Sequence, residues 1–162
     1  MNILGNCCCG LLLLLSTKTY GLDCIPERDF GMGGFLLNQN ETQVRTQLLS
    51  AHSVEILTSE NSKGEYYFKR YSYDHLLVEI VKNVVGRIYT ESRELPAPNG
   101  LRVGMSTQRV RILLGVDSLR WNNNMREFYI EPCEQRNLDI LGVVTVNEKD
   151  SISAIEFVIA EP

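Results

Sequence analysis

Histidine and tryptophan are scarce in this chain of 162 residues, with two of the former and one of the latter. The histidines, His52 and His75, lie in unlike contexts, and no Cys-X-X-Cys, His-X3-His or carboxylate-rich loop accompanies them. No metal site is therefore expected. His75 follows Asp74, but neighbouring residues of a strand point to opposite faces, so these two do not make a catalytic pair. Cys133 stands in Glu131-Pro132-Cys133-Glu134, where flanking acids disfavour a thiolate nucleophile. Gly31-Met32-Gly33-Gly34 resembles half a phosphate loop but lacks the Gly-Lys-Ser/Thr ending. A small hydrolase would need a triad-like grouping that does not occur. The expectation is a protein with no catalytic residues and no cofactor, not an enzyme.

A basic excess is also missing. Lys plus Arg number 16 against 20 Asp plus Glu, a net charge of −4. A protein that neutralised phosphates would be basic, so nucleic acid is excluded as a partner. Usage of 44% hydrophobic and 22% charged residues excludes disorder, collagen and coiled coil.

No hydrophobic run is long enough to span a membrane as a helix. The apolar stretch Ile3–Ser16 reaches about 14 residues, where about 20 are needed. With Thr19 and Gly21 behind it, residues 1–21 read as a secretory signal, though no Lys or Arg precedes the run. A lipid-carrying cysteine is not apparent: Asn6 precedes Cys7 and Asp23 precedes Cys24. A membrane partner is expected only if the chain is lipid-anchored. The location read from this is periplasmic or secreted. Removing residues 1–21 takes Lys18 and no acid, leaving 15 basic against 20 acidic residues, a charge of −5. It also reduces five cysteines to Cys24 and Cys133. These are either a disulfide pair, worth about 4–5 kcal/mol in the chain-entropy model, or two separate buried thiols.

What the chain does have is an internal echo. Gly34–Leu49 and Gly100–Gly115, 66 positions further on, share Gly, Val, Arg and Leu at four of sixteen positions. Asn40 and Ser106 coincide as helix caps, Gln43 completes a capping box, and Gly115 supplies a helix stop. Val44 and Leu48, like Val110 and Leu114, fall one turn apart. Behind each predicted helix follow β-branched alternations. They are Val54–Thr58, Glu65–Tyr71 and the segments holding Val78, Ile80, Val85 and Ile88, then Met125–Ile130, Leu141–Val146 and Ser151–Ile159. Lys82-Asn83 reads as a hairpin turn. Pro96 and Pro98 mark the joint. The predicted fold is α+β, with residues 22–95 and 96–162 as two tandem helix-plus-antiparallel-meander repeats. Their strands are expected to form one continuous antiparallel sheet with helices packed on one face.

Gly100-Leu101-Arg102-Val103-Gly104-Met105-Ser106, with Val110 and Leu113-Leu114-Gly115, resembles the helix signature of the SmpA/OmlA (BamE-like) outer-membrane assembly lipoproteins. The tandem plan is similar to that of the β-lactamase inhibitory proteins. The resemblance covers residues 30–162 and implies an extracytoplasmic, non-enzymatic protein that grips other proteins through an exposed sheet face. Two departures stand out: the mature chain allows one bridge where the inhibitors carry one per repeat, and it lacks the lipoproteins' anchoring cysteine.

The densest aromatic cluster is Tyr66-Tyr67-Phe68-Lys69-Arg70-Tyr71-Ser72-Tyr73. Alternation is read as sending Tyr66 and Phe68 inward and Tyr67, Tyr71 and Tyr73 outward. Such a row is either a binding surface or cross-strand packing. Trp121, ahead of Asn122-Asn123-Asn124, is either a core plug or an interface anchor. With Tyr129 these residues form the expected partner-binding set: Tyr67, Tyr71, Tyr73, Trp121 and Tyr129. The function expected is protein binding, as an inhibitor or immunity protein, with a basic partner favoured by the acidic charge. The alternative is an envelope-assembly accessory lipoprotein.

Overall fold

The computed structural model describes residues 25–61, 64–115, 119–133 and 140–160. The expected signal and Cys24 lie outside the described residues. The chain enters through a 3-10 turn at Glu27–Asp29 and a small hairpin of β1 (Gly31–Met32) and β2 (Phe35–Leu36), then α1 (Arg45–Leu48). A first meander follows: β3 (Ser53–Asn61), β4 (Gly64–Ser72), β5 (Leu77–Val81) and β6 (Val84–Thr90). Beyond a coil come α2 (Thr107–Leu114) and a second meander, β7 (Leu119–Asn122), β8 (Glu127–Ile130), β9 (Ile140–Val146) and β10 (Ile152–Ile159). The eight strands from β3 to β10 form one antiparallel sheet in the order β3-β4-β5-β6-β10-β9-β8-β7. The two meanders join where β6 pairs with β10, through Ile155↔Thr90, Glu156↔Tyr89, Phe157↔Ile88 and Val158↔Arg87.

Bulges set which side chains reach the core on the two seam strands. In β6, Gly86 drops out of the ladder, since Glu79 pairs with Arg87 and Ile80 with Val85. Val85 and Ile88, three residues apart, are thereby both fully buried. A Cβ on Gly86 would stand 2.9 Å from Val81 Cγ2, so the bulge needs glycine. In β10 the register shifts between Ile152 and Ala154, and Ile152 and Ile155 are likewise both buried. The hairpin turn read at Lys82-Asn83 is present, with both residues at positive φ (49° and 66°), the pattern of a tight turn between twisted strands.

Two backbone clasps of the same form hold the starts of these strands. In one, Asn38 N–H donates to Val85 O, Gln39 O accepts from Val85 N–H, and Glu41 N–H donates to Asn83 O, at 2.7–2.9 Å. In the other, Gly104 N–H donates to Ile152 O, Met105 O accepts from Ile152 N–H, and Thr107 N–H donates to Asp150 O, at 2.8–3.1 Å.

The α+β class expected from the sequence is overturned. Strand makes up 49% of the structure and helix 12%, and the sheet carries no helical layer. At the first predicted helix, Asn40 Oδ1 does accept from Thr42 N–H, and Gln43 Oε1 from Asn40 N–H, but these bonds close a turn. Regular helix begins only at Arg45 and ends at Leu48, without a side-chain cap. Four residues of Arg, Thr, Gln and Leu bury one side chain, Leu48, and cannot cover a sheet. At the second helix, Ser106 Oγ caps Arg109 N–H as read, and Val110 and Leu114 face the core. The rest of the cover is coil and hairpin, which lay Phe30, Met32, Phe35 and Leu37 from one loop and Leu101 and Val103 from the other on the sheet.

Near the second meander's far end, Cys133 is disulfide-bonded. Its N–H donates to Ile25 O at 2.8 Å, and Ile25 bridges Pro132.

Phe157 is 1% exposed on β10, with its ring 5.3 Å edge-on from Phe30. Phe157→Ala is expected to cost about 3–5 kcal/mol, because the seam and the coil layer meet there. Urea unfolding of the variant measures this, and a loss under about 1 kcal/mol would contradict the assignment.

Candidate functional site

Residues of β4 alternate between the two faces of the sheet; Phe68 is buried and Tyr67 exposed as read from the sequence, but Tyr71, read as outward, turns to the covered side. Tyr71 pairs with Val78 and is 9% exposed within the main core. Tyr66, Phe68 and Arg70 lie on the opposite face. Alternation alone cannot say which parity is buried; here the loop bearing Glu41 decides. Lys69 Nζ donates to Glu41 Oε1 at 2.7 Å, which raises the Lys69 pKa, and Tyr71 OH points to the same carboxylate at 3.4 Å. Tyr73 packs on Phe35, with ring centroids 5.8 Å apart, and its OH donates to Gln47 O at 3.1 Å. Tyr71 and Tyr73 are thus corrected from outward to cross-layer packing.

The other expected residues divide. Tyr67 is exposed, opposite Thr58 of β3. Trp121 sits on the covered side, ring centroid 4.6 Å from Phe128, yet keeps 39% exposure at the sheet's short edge. Tyr129 belongs to the uncovered face, where its OH donates to Glu127 Oε2 at 2.9 Å.

No described element covers that face. Across four adjacent strands it carries a row of alternating charge: Arg70 (β4), Glu79 (β5), Arg87 (β6) and Glu156 (β10). Glu79 Oε1 accepts from Arg70 Nε and Nη2 at 2.9 and 2.7 Å and from Arg87 Nη1 at 3.3 Å. Arg87 then grips Glu156 in a fork at 2.7 and 3.2 Å. Burial works to lower the Arg87 pKa, but the bonds to Glu156 and Glu79 outweigh it and hold it raised. Tyr66 and Phe68 border the row, with the Arg70 guanidinium 5.6 Å from the Phe68 ring centroid. A depression of about 310 Å³ lies over these residues and Val158. Past the seam, Tyr129 pairs with Val143 and Leu141 with Val158, continuing the face as half-buried apolar and aromatic side chains. The arrangement neutralises its own charges, so it offers a rigid surface of fixed shape and little free reactivity.

The sequence reading missed one pairing. His52 Nδ1 stands 3.1 Å from Asp74 Oδ1, because the β3 and β4 ends meet where His52 N–H donates to Ser72 O. Both side chains are exposed, so the contact adds little to stability. His75 and Asp74 border hollows of about 510 and 350 Å³ on either side of this corner. Among the described residues no group of His, Cys, Asp and Glu has the geometry to hold a metal ion.

No family model matches the sequence, and no curated protein matches it. The fold is similar to that of the uncharacterized protein yfeY from Escherichia coli, at a TM-score of 0.51 and 11% identity, over 83% of this chain and 99% of that one. It is similar to a cysteine-rich secretory protein from Staphylococcus aureus subsp. aureus Mu50, at 0.55 and 11%, over 85% of this chain and 49% of that one. It is also similar to an extracellular protein containing a SCP domain from Bacillus anthracis str. Ames, at 0.56 and 8%, over 77% and 44%. The chain spans about half the length of the last two. At such identities the likeness is one of fold alone, and the resemblance to the assembly lipoproteins and β-lactamase inhibitory proteins rests on the short motif.

Two outcomes follow from the geometry. Glu79 is 7% exposed and serves two guanidiniums, so Glu79→Ala should cost about 2–3 kcal/mol in chemical denaturation; a loss below about 0.5 would show the row to be idle. Burial pushes the Tyr73 hydroxyl up to about 12, and burial with the Glu91 hydrogen bond pushes Tyr89 up to about 12. These folded-state values exceed the unfolded value of about 10, so their contribution is intact below that pH and is lost as pH rises towards about 12. Urea midpoints should therefore hold to about pH 9 and fall between about 10 and 12, less steeply in Tyr73→Phe. A midpoint independent of pH across that window would contradict the burial of both hydroxyls.

Proposed function

We propose that this chain is a secreted or periplasmic, non-enzymatic module that binds another protein through the uncovered face of its sheet. The observation that carries the reading is that face itself. Tyr66, Arg70 and Arg87 on one side of the seam, and Val143, Val158 and Tyr129 on the other, are held in place by strands bonded on both sides. Aromatic and arginine side chains on rigid elements supply contact area at small entropic cost. Inhibition or toxin neutralisation is the narrower form of the same reading, in which the bound protein's own site is blocked. The acidic charge favours a basic partner and a salt-sensitive association rate. The disulfide at Cys133 supports an oxidising compartment, as do structural neighbours described as secretory and extracellular. No helix among the described residues is long and apolar enough to cross a membrane.

The test is a photo-crosslinking residue placed singly at Val143, Tyr129 or Tyr66 and expressed in the native host. A discrete adduct with one protein is expected from these positions and none from Arg109 or Lys149, which lie off the face. Equal labelling from both groups would end the proposal.

A further inference from the structure

The two edges of the eight-stranded sheet are unlike. β7, at one end, has four residues and carries Arg120, which pairs with Glu131 at 2.9 Å; a short charged strand is a blunted edge. β3, at the other end, has nine residues, all in register with β4 from Ser53↔Ser72 to Asn61↔Gly64, without a bulge. It contains no proline and no lysine, two of the usual protections of an exposed edge, and its charges are the carboxylates Glu55 and Glu60. No described strand lies on its other side. Its β-branched residues Val54, Ile56 and Thr58 share a face, and Val54 and Ile56 are 53% and 73% exposed. Tyr67, opposite Thr58 on β4, extends this apolar strip and is itself 66% exposed.

We propose that β3 pairs antiparallel with β3 of a second copy of this chain, giving a two-fold dimer whose sheet runs through both. The strand's own sequence selects the register. Centred on Ile56, the pairing sets Ile56 against its own copy, Val54 against Thr58, Ser53 against Ser59, Glu55 against Leu57 and His52 against Glu60. β-branched residues then face one another, and the outermost pair joins an imidazole to a carboxylate. Centring on Glu55 would set that carboxylate against itself, and centring on Leu57 would set Val54 against Glu60. The blunted β7 edge closes the assembly at two copies, because among the described strands β3 alone offers an edge that accepts another strand. This interface leaves the uncovered sheet face open, so it stands apart from the binding reading above.

Light scattering on the chain as its host processes it should give a dimer mass at about 100 μM, with dissociation on dilution. Ile56→Lys sets two ammonium groups opposite each other and should weaken the dimer at least tenfold, about 1.4 kcal/mol, while the unfolding transition measured at concentrations low enough for both proteins to be monomeric stays in place, because the side chain is exposed in the single chain. The double variant Val54→Lys with Thr58→Glu should retain the dimer, and Val54→Lys with Thr58→Lys should lose it, since these positions oppose one another. A monomer at about 100 μM, a dimer indifferent to Ile56→Lys, or two double variants that behave alike would each overturn the proposal. So would protection of β3 from hydrogen exchange only on adding a different protein.

Discussion

The pairing of β6 with β10 is the constraint on which the rest of the molecule depends. Each meander by itself is a four-stranded sheet with two open edges and too little apolar surface to cover its own face. Joined, they lose two edges, and Ile88, Ile155 and Phe157 become a continuous buried strip along the seam. On the opposite face the same strands place Arg87 within reach of both Glu79 and Glu156. One ladder therefore organises hydrophobic packing beneath the sheet and ion pairing above it.

The seam is held from outside as well. The Asn38–Glu41 and Gly104–Thr107 segments lay backbone donors and acceptors on the first residues of β6 and β10. This satisfies the polar groups of two loops that would otherwise be buried without partners. It explains how coil can serve as a covering layer. Leu101 and Phe30 sit fully buried on segments that are neither helix nor strand, because clasp bonds fix the backbone that carries them.

A sheet that the described elements cover on one side has two unlike surfaces. Beneath it, apolar side chains are sealed by loops; above it, charges answer one another at 2.7–3.3 Å across four strands. A surface of that kind costs little to order on binding, since side-chain entropy has already been lost to the ion pairs. It favours recognition by shape and fixed charge. The His52–Asp74 corner lies at the end of the sheet and is exposed, so it contributes charge to the rim.

Strand positions were legible in the chain because alternation with β-branched residues is a local property. The segments Val54–Thr58 and Leu141–Val146 lie in strands, and so does Ser151–Ile159 from Ile152 onward. So were the Lys82-Asn83 turn, whose residues tolerate positive φ, and the Ser106 cap, which acts three residues away. The α+β class was misread at Asn40–Leu49, where capping signals are real but the residues they introduce are too few and too polar to propagate a helix. The face of the tyrosine row was misread because period two carries no sign: Tyr71 is buried by Glu41 and the loop around it, thirty residues earlier in the chain. The His52–Asp74 contact depends on two strand ends meeting. Sequence by itself determined local periodicity, turn chemistry, charge balance and the oxidisable cysteines. Which parity faces the core, what covers the sheet and which charges meet were decided only by tertiary structure, because each depends on segments distant in sequence being brought together by the β6–β10 seam.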